Sequence, residues 1–166
     1  MGSLGGNYNN AATGINNFDQ VVGFSDLPHD TTFHAFLWQK QNGVGVMTDL
    51  GTLPGDAYSI PFSISDAGQV VGQSCDKNNN CRAFLWQNGV MSDLNQVAHV
   101  NTPGSYCLVM AEGINSQGGE ITGMAVDQIT GNTLGFWANP STNPVGGNQG
   151  CSNGAHNANG ITRRTL

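Results

Sequence analysis

Charged side chains are the scarcest material in this sequence. Asp, Glu, Lys and Arg make up 10% of its 166 residues, against about 25% in ordinary soluble domains. Glu and Lys occur twice each, so the usual constituents of a helix bundle or coiled coil are missing. Five Lys and Arg against 11 Asp and Glu give a formal charge of −6. Cations so few and so scattered cannot track a phosphate backbone, which excludes a nucleic-acid partner. No apolar run approaches the ~20 residues that a membrane-spanning helix needs. The opening Met1-Gly2-Ser3-Leu4-Gly5-Gly6 has neither a basic nor an apolar stretch of the kind a signal peptide uses, so a signal peptide is expected to be absent from this chain.

Gly and Asn are abundant instead, with 24 and 20 positions. The four cysteines are an even number in a Lys-poor, Asn-rich chain, a combination that points to an oxidising, extracellular setting. The length suits one domain that buries roughly two-thirds of its surface.

The sequence repeats itself. Leu4-Gly5-Gly6 returns as Leu53-Pro54-Gly55, and Gln20-Val21-Val22-Gly23 as Gln69-Val70-Val71-Gly72, both at an offset of 49. Ala35-Phe36-Leu37-Trp38 returns as Ala83-Phe84-Leu85-Trp86 at 48, and Met47-Thr48-Asp49-Leu50 as Met91-Ser92-Asp93-Leu94 at 44. The drifting offset puts the length changes in loops. A looser third copy holds Gly113-Ile114-Asn115, Glu120-Ile121-Thr122-Gly123 and Phe136-Trp137, and lacks the Met-x-Asp-Leu segment. The repeats run over about 4–52, 53–96 and 97–140, within a β-repeat domain of residues 1–140.

Each unit is a series of short segments rich in β-branched and aromatic residues, separated by Asn, Gly and Asp, which reads as strands joined by tight turns. The first unit predicts strands near 11–15, 20–25, 34–40 and 45–50. Asn16-Asn17-Phe18-Asp19, Ser65-Asp66-Ala67-Gly68 and Asn115-Ser116-Gln117-Gly118 predict one set of hairpin turns, and Asn42-Gly43 with Asn88-Gly89 a second. Four antiparallel strands every 45 to 50 residues are the pattern of a propeller blade, so the expected fold is all-β, with three propeller-like blades forming a partial propeller. A blade cannot bury both faces alone. Trp38, Trp86, Trp137, Phe36, Phe84 and Phe136 are therefore expected to pack between blades. The competing role for the tryptophans is a sugar-stacking platform.

The run Ile-Asn-x-x-x-Gln-Val-Val-Gly, then His34-Ala35-Phe36-Leu37-Trp38, then Met-Thr-Asp-Leu-Gly-Thr-Leu-Pro-Gly, resembles the bacterial extracellular HAF-repeat family, named for its His-Ala-Phe triplet. The resemblance covers about residues 4–140. The second copy has Arg82-Ala83-Phe84 and the third Gly135-Phe136-Trp137, so the repeat does not demand His34. The third copy resembles the closing repeat of such arrays, which implies repeats upstream of this chain. The family implies a secreted, propeller-like scaffold with no general biochemical activity attached.

From Asn139 the pattern ends, and residues 141–166 read as an irregular Gly/Asn-rich tail. Within it, Gly150-Cys151-Ser152-Asn153-Gly154 matches the hydrolase Gly-x-Ser-x-Gly pattern, with His156 close by. A nucleophile elbow needs a buried strand before it and a helix after it, and neither is predicted here. Ser152 and His156, with His29 and Asp30 of the loop Asp26-Leu27-Pro28-His29-Asp30, are the only catalytic candidates, and a solvated hairpin tip explains the last two as well. In Cys75-Asp76-Lys77-Asn78-Asn79-Asn80-Cys81 the oxygens of Asp76, Asn78 and Asn80 alternate as in the first positions of a calcium loop. The Gly at the sixth position and the distal Glu are missing, which leaves an Asx-rich turn as the alternative. Calcium is thus the one cofactor considered, and otherwise none is expected.

Cys75 and Cys81 flank a five-residue loop between strands that should pair antiparallel, which brings them within disulfide reach. Their counterparts in the first repeat are Asp26 and Phe33. Cys107 then pairs with Cys151 by elimination and ties the tail to the last blade. Two functional classes stand: a secreted scaffold or binding module that displays Asn- and Asp-rich loops to an extracellular protein or glycan, and a secreted hydrolase, esterase or glycosidase, with a loop-built site. Three blades cannot close into a ring, so self-association is expected, as a shared six-bladed ring or an end-to-end array, with a tail that caps the open face as the alternative.

Overall fold

A computed structural model describes residues 2–100, 106–140 and 151. Its described residues form three antiparallel sheets. In the first, β1 (Asn10–Ile15), β2 (Val21–Asp26), β3 (Phe33–Gln41) and β4 (Val44–Gly51) pair in chain order. The second repeats this with β5 (Tyr58–Ile64), β6 (Val70–Cys75), β7 (Cys81–Gln87) and β8 (Val90–Asp93). One helical turn, α1 (Leu94–Val97), leads to β9 (Ala98–Val100) and then to β10 (Tyr106–Ile114), β11 (Ile121–Asp127) and β12 (Thr133–Pro140). The four strands expected in the first repeat are all present, each within a residue or two of its predicted ends.

The turns follow their residues. Asn42-Gly43 and Asn88-Gly89 both carry positive φ at the two central positions, the two-residue hairpin geometry that suits the strands' twist. Asp19, Gly68 and Gly118 stand in the turns that join β1 to β2, β5 to β6 and β10 to β11, with φ of 58°, 76° and 74°.

The glycine of each Val-Val-Gly motif has a different cause. Gly23, Gly72 and Gly123 sit on the middle strands β2, β6 and β11, beside a bulge in β1, β5 and β10. A Cβ there would collide with the carbonyls of Ala11, Ile60 and Met110, and would stand 2.7, 2.8 and 2.8 Å from the rings of Phe36, Phe84 and Phe136. The bulge brings backbone close on one side and a ring atom closes the other, so only glycine fits.

Successive sheets stack face to face. Val22, Leu37 and Leu50 of the first meet Ile64, Val70 and Phe84 of the second in one buried cluster. Val71 and Leu85 of the second meet Leu108, Ile121 and Phe136 of the third in the other. Alternation along each strand sends one set of side chains forward and the other back.

Two expectations need correction. The third sheet does not simply lack its outer strand: β9, from the long lead-in, pairs beside β12 at that edge. The aromatic set is also not uniformly placed between sheets, because three sheets make only two interfaces. Phe84, Phe136 and Trp86 lie in those interfaces, whereas Phe36 and Trp38 occupy the outer face of the first sheet. Phe36 is nevertheless 2% exposed, with its ring on Gly23. Trp137 pairs with Thr122, the position that Leu37 and Leu85 hold opposite Val22 and Val71. The third copy is one residue shorter here, and a one-residue slip along a strand moves a side chain to the other face. Trp137 therefore points away from the second sheet and is 43% exposed.

Candidate functional site

The hairpin turns that begin each repeat stack on one another. Asn17 donates from its N–H to Oδ1 of Asp66 at 3.0 Å and from its side-chain amide to Oδ2 at 2.8 Å. The N–H of Asp66 in turn donates to the Ser116 carbonyl at 2.9 Å. Asn17, Asp66 and Ser116 are the same position of three repeats, so the turns form a ladder along one end of the stack. The Asn16 amide adds a bond to the Ser65 carbonyl at 2.9 Å.

Beside this ladder each pair of repeats leaves a groove. The first, about 390 Å³, lies between Phe18, Gln20, Gln39 and Lys40 of one repeat and Asp66 and Gly68 of the next. The second, about 530 Å³, lies between Gln69, Gln87 and Ser92 and the turn Gln117-Gly118. A glutamine pair recurs in each: Gln20 donates to Gln39 at 2.8 Å, and Gln69 to Gln87 at 3.3 Å. An amide offers two donors and an acceptor with spare lone pairs, and it carries no charge. No ionised side chain lines the second groove. The walls of the second groove suit a neutral ligand rich in hydroxyl or amide groups, whereas Asp19, Lys40 and Asp66 add charge to the first.

The sequence candidates lie elsewhere. Asp76 turns inward: its Oδ1 accepts from the N–H groups of Asn78 and Asn80 at 2.8 and 2.9 Å, and its Oδ2 from the Asn80 amide at 2.8 Å. These bonds, those from Asn80 first, hold the carboxyl below the ordinary aspartate value. Asp127 forms the same turn one repeat on and is lowered chiefly by the Ile129 N–H. The Asp76, Asn78 and Asn80 loop has the hydrogen bonds of an Asx turn. His29 and Asp30 sit at a hairpin tip with φ of 75° and 55°. Asp30 accepts the Asn7 N–H at 2.7 Å, which ties the N-terminal lead-in to the first sheet. Ser152 and His156 lie outside the described residues, as does the tail apart from Cys151.

Both disulfides are present. Cys75 and Cys81 face each other across β6 and β7 with Cα atoms 4.0 Å apart, and Asp26 and Phe33 hold the corresponding pair of positions in the first sheet. Cys107 bonds Cys151 across a separation of 44 residues.

Sequence reasoning missed a buried ionic cluster. Arg82 places Nη2 2.9 Å from Asp56 Oδ1 and Nη1 3.0 Å from Asp93 Oδ2, and it also donates to the Pro54 carbonyl. The three side chains are 12%, 5% and 7% exposed. Asp93 also caps α1, whose Asn95 is bonded at both ends of its amide to the Leu108 backbone. The first repeat has His34 and Asp49 in the same roles, 3.0 Å apart. Burial tends to raise Asp49, but the His34 hydrogen bond and the Gly51 N–H outweigh it and leave the pKa lowered. The signal was legible: the residue before Ala-Phe is His34 or Arg82 in the two copies that retain the Met-x-Asp-Leu aspartate. Among the described residues, no group of three or more His, Cys, Asp or Glu could hold a metal, and no helix is long and apolar enough to cross a membrane.

No family model, curated protein or solved structure matches this chain.

Proposed function

We propose that the chain is a secreted, propeller-like β-repeat scaffold of the HAF-repeat kind, and that it binds a neutral, hydroxyl-rich polymer, a glycan, along the grooves between its repeats. The observation that carries the binding role is the recurrence of the groove. The same glutamine pair stands beside the same turn ladder at two successive junctions, which offers an extended ligand two related polar subsites, the first also lined by Asp19, Lys40 and Asp66. Exposed Phe18, 68% accessible at the rim of the first groove, adds a face on which a sugar ring can stack. The Asn- and Asp-rich loop tips are poorer candidates, because Asp76 and Asp127 already bond their own backbones. Two disulfides support an oxidising, extracellular setting. Blade-like architecture is supported by the four-strand meander of the first two sheets and by their face-to-face stacking with the third.

A neutral-glycan array followed by calorimetric titration of the best oligosaccharide tests this reading. Gln39→Ala with Gln87→Ala removes one member of each pair and should weaken binding at least tenfold while thermal melting stays cooperative. Unchanged affinity in that double variant, or the absence of any glycan binding, refutes the groove as the site.

A further inference from the structure

The two grooves share a frame and differ in what stands on it. Both carry a glutamine pair beside the turn ladder. In the turns that bound them, the repeat puts Ala67 where the first groove has Phe18, Gly68 where it has Asp19, and Ser116 where it has Asp66. Lys40 has no counterpart. The pairs Trp38 with Met47 and Trp86 with Met91 are equivalent; beyond them β3 and β4 continue for three rungs, to Gln41 with Val44, whereas β7 and β8 continue for one, Gln87 with Val90. The longer hairpin brings Lys40 to the first groove. Every charged or aromatic group there is thus an addition to a frame that is uncharged at the second junction.

Asp19 and Lys40 are exposed, and among the described residues neither they nor Asp66 joins an ion pair. The Asp66 oxygens accept from Asn17, a neutral donor. Two carboxylates against one ammonium leave the groove negative, in a chain whose formal charge is −6, so its field attracts a cation and repels an anion. Phe18, 68% exposed at the same rim, adds a ring whose face attracts an ammonium group. An ammonium on the ligand brings three donors for the two carboxylates. A carboxylate on the ligand would meet Lys40 and be opposed by both aspartates.

We propose that the polymer bound along the grooves is built of 2-amino sugars of mixed acetylation, with a free ammonium held by Asp19 and Asp66 in the first groove and an acetylated, uncharged residue in the second. The proposal rests on the reading of the grooves as a glycan site and adds the chemistry that tells one junction from the other. The second groove fits the acetamide: Gln69 and Gln87 offer amide donors and acceptors, and Leu85 and Val97 line the same space for the methyl group.

Calorimetric titration with oligosaccharides of equal length tests it, using fully acetylated glucosamine, partly deacetylated glucosamine and a uronic acid. The partly deacetylated chain should bind about tenfold tighter than the acetylated one at low ionic strength, and the advantage should shrink as salt is added. Asp19→Asn introduces a residue that tolerates the φ of 58°, and it should bring the ratio of the two affinities close to one. Lys40→Gln removes the competing cation and should raise that ratio. Shifts of opposite sign separate charge recognition from a general loss of structure. Equal affinities for the two glucosamine chains, or an unaltered ratio in Asp19→Asn, overturn the inference and leave the groove reading in place. Tighter binding of the uronic acid chain overturns it in favour of Lys40 as the anchor for a carboxylate. If a neutral glycan of another class binds and neither glucosamine chain does, the inference fails while the grooves stand as a glycan site. If Gln39→Ala with Gln87→Ala leaves the binding of every chain unchanged, the groove reading itself fails and takes the inference with it.

Discussion

Arg82 and Asp93 meet at 3.0 Å in the second sheet at the two positions that His34 and Asp49 occupy in the first. The third copy has Leu134 at the first position and no counterpart of the aspartate, so both members of the pair are lost together. The pairing makes the residue before Ala-Phe and the aspartate of Met-x-Asp-Leu one unit that locks the outer strand to its neighbour. Arg82 bears more of this burden, since Asp56 joins it and the whole cluster is buried. Arg82→Ala leaves two buried carboxylates without their cation and should cost about 3–5 kcal/mol. Urea unfolding measures it, and a loss below about 1 kcal/mol, the range of an exposed pair, contradicts the buried cluster.

Asp49 predicts the behaviour of the first repeat in acid. Its folded-state pKa lies below that of the unfolded chain, so its contribution is present above the ordinary aspartate value of about 3.9 and is lost as pH falls through the lowered folded value. Asp49 is 42% exposed, so water screens the pair and Asp49→Asn should cost only about 0.5 kcal/mol near neutral pH. The gap between wild type and Asp49→Asn in urea midpoint should narrow as the pH is taken down to about 3. A gap that widens in acid reverses the sign argued here.

Gly72→Ala tests the close approach on the middle strand. The added methyl meets the Ile60 carbonyl and the Phe84 ring at once, and neither can retreat without opening the bulge, so the cost should be about 3 kcal/mol or more. Gly89→Ala is the control. Its φ of 85° strains an alanine, but nothing lies within 4 Å of the new methyl, and the cost should be about 1–2 kcal/mol. Thermal melts that rank the two in the opposite order contradict this account of the motif.

Most of the architecture was legible because its signals are local and repeated. The Asn-Gly dipeptides dictate their turns, and Val-Val-Gly followed by Ala-Phe marks a glycine-over-ring junction. Side-chain facing was legible only where the copies align without a gap. In Phe136-Trp137 the missing residue reverses the tryptophan, and only the register with Thr122 reveals it. Edge strand β9 was not legible, because three residues that complete a sheet from the wrong end of the unit carry no periodicity. The grooves were equally hidden. Gln20 and Gln39 are ordinary surface residues in sequence, and they line a groove only when the strands bring them together beside the next turn.

The two disulfides separate loop entropy from local geometry. Cys75 and Cys81 enclose a separation of 6 residues and already face each other in a paired register. The unfolded chain loses little freedom when they are joined, about 2 kcal/mol. Cys107 and Cys151 enclose 44, for which the same relation gives about 4 kcal/mol. The first sheet dispenses with the short bridge by placing Asp26 and Phe33 there, which marks it as an addition to the repeat. Replacing both cysteines of the short bridge by serine should therefore lower the melting temperature clearly less than the same change in the long bridge. Peptide mapping without reductant establishes beforehand that each variant retains the other bond. If the short-bridge variant proves the less stable of the two, the hairpin depends on its staple rather than on its strand pairing, and the view of this bridge as an accessory fails.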